Sequence, residues 1–299
     1  MVEATKRKIL VGVDGSDRSF RTIRYISNIP SFKKMRVVLL NVFTEIPESF
    51  WDLEKEQLYH RRLTEIRAWE MEMKKQIEAF MGESRKVLLD AGFSPDSVSV
   101  QKKKREAGIA RDIINEAKRD YYAVAVGRRG TNKFKDFILG SIATKLLERV
   151  SFAPLLLVGK DATPEKVLIG LDGSENAMRA VDYVGSVLSG TDVKVRLIHA
   201  LRGEFPAYVK EAKKEMSKVL DDAKRHLEIS GFKPDQVSTK LVTEVGSRAG
   251  AIIDEARQGG FKTIVVGRRG RSHVKDFSMG RVCNKVVYLA KGLAVWVIN

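Results

Sequence analysis

The chain has 299 residues, of which 43% are hydrophobic and 31% are charged; this length and composition favour two medium-sized domains over a single core. The apolar run near the start, ILVGV, is too short for a signal-peptide core or a membrane span, so we expect a soluble cytoplasmic protein with no membrane association. One cysteine excludes an internal disulfide, four scattered histidines argue against a zinc site, and the net charge of +16 favours polyanionic partners such as nucleotides, nucleic acid or anionic lipid.

The first half of the chain opens with an apolar strand that ends in an Asp-Gly-Ser turn. Ser16 lies where it can cap the amphipathic helix that follows this turn. Later apolar segments are nearly continuous, which suits parallel strands covered on both faces. The predicted strands are residues 8–14, 36–43, 97–104, 122–127 and 154–159.

A long amphipathic helix is predicted within residues 50–89, between the second and third strands. If continuous it would reach about 60 Å, and Gly82 is a possible point of interruption. Such a helix either covers the core and overhangs it or offers a surface for self-association as a homodimer. Its apolar stripe consists of Leu63, Ile66, Trp69, Met73, Ile77 and Phe80.

The second half of the chain repeats the first. KILVGVDGS at residues 8–16 returns as KVLIGLDGS at 166–174, and VGRRG at 126–130 returns at 266–270. Alternating strands and helices in each copy predict an α/β protein with two doubly wound domains, each a five-stranded, mostly parallel sheet flanked by helices. We place the domains at residues 1–160 and 161–299. Their last strands, 154–159 and 294–298, are expected to pack on each other because each is otherwise an exposed apolar edge.

A glycine pattern follows the fourth strand of each copy, where doubly wound sheets bind ligands. Glycines let backbone N–H groups approach an anion, and a helix N-terminus adds oriented amides, so the pattern predicts an anion site. Turn formation and helix capping are the alternative, purely structural roles. Neither a Walker loop nor a dinucleotide fingerprint occurs. In the first copy the pattern consists of Gly127, Gly130, Gly140 and Ser141.

With this spacing, G-x2-G-x9-G-[ST], the chain resembles a tandem universal stress protein over nearly its whole length. The resemblance implies the Rossmann-like fold of the adenine nucleotide alpha hydrolases and binding of ATP or AMP. It also implies that Asp14 lines the adenosine side of the pocket and that the backbone of Val42 lies against the adenine. Arg129 and Ile142 would flank the phosphates.

The second copy keeps most of this set but departs from it at one position. By the same resemblance its site residues are Asp172, Ala200, Gly267, Arg269, Gly270 and Gly280. Arg281 stands where the pattern requires Ser or Thr, and a long cationic side chain there either fills the phosphate space or binds a shorter phosphate chain such as that of AMP. We therefore expect two unequal sites, with ATP bound by the first.

Binding is easier to find in the sequence than catalysis. No motif supplies an activated nucleophile, so we expect a nucleotide-responsive stress-response regulator with at most slow ATP hydrolysis. Asp14 and Asp172 could hold a Mg²⁺ that accompanies the phosphates, or could serve only as turn formers. The alternatives are a slow nucleotide hydrolase and a nucleic-acid binder that uses QKKKRE at residues 101–106. Nucleic acid is disfavoured because no aromatic residues interleave the basic run.

Overall fold

The computed structural model describes residues 7–45, 60–128, 139–202, 206–271 and 279–299. Strands and helices alternate through both halves. In the first half the elements are β1 (Lys8–Val13), α1 (Asp17–Ser27), β2 (Arg36–Phe43), α2 (His60–Asp90), β3 (Val98–Lys104), α3 (Ile109–Ala117), β4 (Ala123–Gly127), α4 (Ser141–Arg149) and β5 (Leu155–Val158).

The second half repeats this order. Its elements are β6 (Lys166–Gly170), α5 (Glu175–Leu188), β7 (Lys194–Ala200), α6 (Pro206–Ile229), β8 (Val237–Val242), α7 (Arg248–Gln258), β9 (Thr263–Gly267), α8 (Arg281–Leu289) and β10 (Ala294–Ile298). The fold is therefore two doubly wound α/β domains, as the alternation predicted.

One sheet of ten strands runs through the described residues in the order β3-β2-β1-β4-β5-β10-β9-β6-β7-β8. Strand neighbours within each half are parallel. The two halves meet where β5 pairs antiparallel with β10, with Leu156 opposite Trp296. This pairing covers the apolar edge that each last strand would otherwise expose.

Each Asp-Gly-Ser turn leads directly into a helix, and its serine is the N-cap residue, as predicted for Ser16. Ser16 caps α1 by accepting from the Ser19 amide, and Ser174 caps α5 by accepting from the Ala177 amide. Gly15 and Gly173 have φ of 78° and 75°, a left-handed conformation that favours glycine. The glycine allows the chain to turn directly after the aspartate, which therefore lies at the end of the strand.

Aromatic side chains from both halves pack around Trp296, which has no exposed surface. The Trp296 ring lies edge-on to Tyr25 of the first half at 6.5 Å between centroids and to Tyr183 of the second half at 5.8 Å. Tyr183 also stacks on Tyr122 at 5.3 Å. The hydroxyl of Tyr25 lies 2.8 Å from that of Thr263, so polar contacts also cross the junction.

Helix α2 runs without a break through Gly82, so the predicted interruption there is wrong. Packing explains the continuity, because Met81 and Leu88 are buried in the core on the turns around this glycine. The described part of the helix is His60–Asp90, and the predicted residues 50–59 lie outside the described part of the chain. Farther toward its N-terminus the apolar stripe leaves the core: Trp69 is 60% exposed, and Met71 and Met73 are exposed as well.

Candidate functional site

A cavity of about 970 Å³ opens at the carboxyl ends of β6, β7 and β9 in the second half. This is where doubly wound sheets place their ligands, and the volume lies in the range of small-molecule sites. The structure brings every site residue predicted for the second copy to its wall: Asp172, Ala200, Gly267, Arg269, Gly270, Gly280 and Arg281.

The Asp-Gly-Ser turn and the glycine loop of the second half are in direct contact. Asp172 accepts from the Ser174 amide at 3.0 Å, and the Ser174 hydroxyl donates to the Arg269 carbonyl at 3.3 Å. A Cβ on Gly270 would lie 2.3 Å from an Asp172 carboxylate oxygen, which is closer than real Cβ contacts allow. Any larger residue at position 270 would therefore force the Asp172 carboxylate to move, whether or not a ligand binds.

The helices that follow the glycine loops begin without a side-chain cap. Gly140 and Gly280 are the N-cap residues of α4 and α8, and neither helix has a side-chain hydrogen bond at its N-cap. Ser141 is consequently the first residue of α4 and exposed, so the alternative role of helix capping does not apply to it. Backbone amides in the first turn of each helix are thus available to an anion.

In the first half the described residues form part of the corresponding site. Asp14 accepts from the Ser16 hydroxyl at 2.6 Å and from the Ser19 hydroxyl, which fits its alternative role as a turn former. Arg129 and Gly130 lie outside the described residues. The other predicted residues lie at the ends of β2 and β4 and at the start of α4: Val42, Gly127, Gly140, Ser141 and Ile142.

His199 also lines the second-half cavity, although sequence reasoning set the histidines aside. It is 6% exposed, and its Nδ1 donates to the Leu171 carbonyl at 2.5 Å. Because a carbonyl only accepts, Nδ1 carries the proton and the neutral ring keeps a lone pair on Nε2. The available signal was the repeat itself, since Asn41 holds the same position and donates to the Val13 carbonyl at 2.9 Å.

Burial lowers the pKa of His199, and nearby Arg248 and Arg271 lower it further, while the bond to Leu171 and the charge of Asp172 oppose the shift. As pH falls, this histidine is therefore protonated in the unfolded chain, where its pKa is near 6.5, before it is protonated in the folded protein.

Replacing His199 by asparagine, the residue that the first half has at this position, is expected to reduce the loss of thermal stability between about pH 7 and pH 5 relative to wild type. Equal losses in differential scanning calorimetry would contradict the buried neutral histidine.

The first arginine of each VGRRG sequence points away from the glycine loop to the opposite half. Arg128, 8% exposed, donates to the Val287 carbonyl of α8, and Arg268, 2% exposed, donates to the Leu147 carbonyl of α4 at 2.7 Å. The Arg128 and Arg268 guanidinium groups therefore contribute to the junction between the halves.

The lysines of the basic run at residues 101–106 form ion pairs. Lys102 lies 2.5 Å from Glu78, Lys103 lies 3.5 Å from Glu106, and Lys104 lies 2.8 Å from Glu45. A run whose charges are met by neighbouring carboxylates is a poor phosphate-binding stripe. In the part of the chain that the structure describes, no helix is long and apolar enough to cross a membrane.

Comparison with known proteins gives a family match over both halves. The model of the Universal stress protein family matches residues 6–159 and 164–298. A universal stress protein of Mycolicibacterium smegmatis is 26% identical over 297 residues, which cover 96% of this chain and 95% of that protein. Universal stress protein YxiE of Bacillus subtilis is 28% identical over 142 residues, 42% of this chain and 93% of its own.

A solved structure shares the fold over the whole chain. The crystal structure of a universal stress protein from Archaeoglobus fulgidus covers 97% of this chain and 97% of its own, with a TM-score of 0.65 and 21% identity. The two-fold repetition of one α/β unit is thus a shared architecture.

Proposed function

The chain belongs to the universal stress protein family, and from this premise we propose that it is a regulatory protein that binds adenine nucleotides, ATP or AMP, at the carboxyl ends of its two parallel half-sheets. The observation that carries the proposal is the second-half cavity, which joins an aspartate turn, a glycine loop and an uncapped helix N-terminus. These are the elements that hold a nucleotide's ribose and phosphates without any catalytic group.

In this proposal the phosphates lie on the glycine loop and the first turn of the following helix. Asp14 and Asp172 face the ribose, and the backbone of Val42 and Ala200 faces the adenine. Arg269 borders the second-half cavity beside the phosphate position and offsets the negative charge there. The burial of Val42 and Ala200 supports this assignment, because a flat base needs an apolar wall.

The residues present fit Mg²⁺ only as a companion of bound phosphates. Among the described residues each half offers one aspartate at the turn after its first strand, and no group of three metal-ligand side chains occurs there. Mg²⁺ commonly keeps water and binds through one carboxylate plus substrate phosphates, so Asp172 could complete such a shell. We assign it no chemical step, and any ATP hydrolysis is expected to be slow.

We further propose that the chain is an internal dimer, with units at residues 1–160 and 161–299 joined through their last strands. The antiparallel register of β5 and β10 and the aromatic contacts of Trp296 support this. Self-association through the exposed face of α2 stays a prediction.

The two sites should differ in ATP affinity, because an arginine replaces a small hydroxyl at the start of α8. Calorimetric titration of ATP should find one strong site in wild type, none in Gly140→Trp, and two in Arg281→Ser. Circular dichroism melts confirm that each variant is folded. Two equal strong sites in wild type would overturn the asymmetry, and the absence of any nucleotide binding or co-purified nucleotide would overturn the function itself.

A further inference from the structure

The residues that line the second-half cavity differ in charge from the residues at the aligned positions of the first half. Aligning the repeats places Arg248 at the position of Ile109, Arg271 at that of Thr131 and Arg281 at that of Ser141. All three arginines border the cavity. The same alignment places one added carboxylate, Glu215, at the position of Gln76. Among the described residues that line the cavity, the second half has therefore gained more positive than negative charge.

These arginines do not gather at one point. Arg281 is the first residue of α8, beside the glycine loop, whereas Arg248 is the first residue of α7, which follows β8 at the far side of β7. Arg248 and Arg271 both act electrostatically on His199 near the end of β7. Arg281 thus borders the cavity at the phosphate position and Arg248 borders it on the side of β7 and β8, while Arg271 lies against the aspartate turn.

Arg271 is positioned across the aspartate turn. A Cβ added to Gly173 would lie 2.5 Å from its guanidinium, and its present partner is Glu215 of α6 at 2.9 Å. Both side chains of this ion pair are about half exposed, so it contributes little stability and a phosphate can displace the carboxylate. Arg271 is therefore available to an anionic ligand at little cost.

His199 gives this region a directional polar group. It is almost fully buried, lines the cavity, and makes one hydrogen bond among the described residues, through Nδ1. Its Nε2 lone pair can accept from a ribose hydroxyl or an exocyclic amine. A ligand with a donor at His199 and anionic groups on either side of it would match this acceptor and the arginines of the wall.

We propose that the second-half cavity binds a nucleotide with phosphate groups at two separated positions, a nucleoside bisphosphate, and so distinguishes it from AMP. The inference rests on the proposed nucleotide-binding function of this half. Arg281 and Arg269 hold the first phosphate, and Arg248 and Arg271 hold the second. The first half, with isoleucine and threonine at the latter two positions, has no such preference.

The test is calorimetric titration of AMP and adenosine 3′,5′-bisphosphate into the Gly140→Trp chain, in which the first site is blocked. We expect the bisphosphate to bind about tenfold tighter or better, because charge-assisted hydrogen bonds from arginine to phosphate are strong. Arg248→Ile and Arg271→Thr, each introducing the first-half residue, should reduce this advantage to about twofold while AMP affinity stays within about threefold.

The outcomes separate the two proposals. Equal affinities for AMP and the bisphosphate, or an advantage that survives both substitutions, would overturn this inference and leave nucleotide binding intact. Failure of both ligands to bind the folded chain would overturn nucleotide binding in this half as well. A cyclic dinucleotide is the third titrant: an arginine-dependent gain for it alone would show that the second phosphate belongs to a dinucleotide and would overturn the bisphosphate assignment.

Discussion

Replacing Trp296 by alanine is expected to lower the free energy of unfolding by about 3–5 kcal/mol, the range for deleting a fully buried large aromatic side chain. Trp296 lies on β10 opposite Leu156 of β5, and its ring contacts Tyr25 from one half and Tyr183 from the other. The lost contacts therefore belong to both halves at once. A cavity at this position should also weaken the junction, because no single half can close around it.

Urea unfolding followed by far-UV circular dichroism measures the effect. Trp69→Ala is the matched control, since Trp69 is 60% exposed and its loss should change stability by less than about 0.5 kcal/mol. We also expect the wild-type halves to unfold in one transition and the Trp296→Ala chain to show a broader or split one. If the two tryptophan variants were equally stable, the packing at the junction would be wrong.

The strands could be predicted closely because each is a short apolar run bounded by charge or glycine. Strand β2 was placed at residues 36–43 and is Arg36–Phe43; β5 was placed at 154–159 and is Leu155–Val158. Parallel strands buried on both faces leave this signal in the local sequence. The continuity of helix α2 was harder to predict, because glycine has a poor intrinsic helix propensity and packing overrides it at Gly82.

Some residues of the candidate site could also be predicted from the local sequence, and others could not. Gly267, Gly270 and Gly280 could be predicted because their spacing repeats between the copies, and at Gly267 an added Cβ would lie 2.7 Å from the backbone of Asn176. His199 and Arg248 could not, because they come to line the cavity only through the arrangement of separate strands and helices. The repeat contained part of the missing information, since His199 aligns with Asn41 and Arg248 aligns with Ile109.

Replacing Arg268 by methionine is expected to destabilise the protein by about 2–4 kcal/mol, because it leaves buried carbonyl groups without a donor. Arg268 donates to the Leu147 and Val150 carbonyls at the end of α4 and to the side chain of Asn299. Methionine has a similar length and fills much of the same volume, so the loss reports on the hydrogen bonds more than on packing.

Arg269→Met is the control, because the neighbouring side chain is exposed and its replacement should leave unfolding nearly unchanged. A second measurement locates the effect. The Arg268 carbonyl accepts a hydrogen bond from the Gly280 amide at 2.8 Å, and the Arg268 guanidinium donates to the Leu147 carbonyl near the end of α4 in the other half. This one residue therefore links the start of α8 to the end of α4. In Arg268→Met, amide hydrogen exchange should therefore accelerate first at the last turn of α4. Unchanged exchange there, with normal stability, would show that the guanidinium does not hold the two halves together.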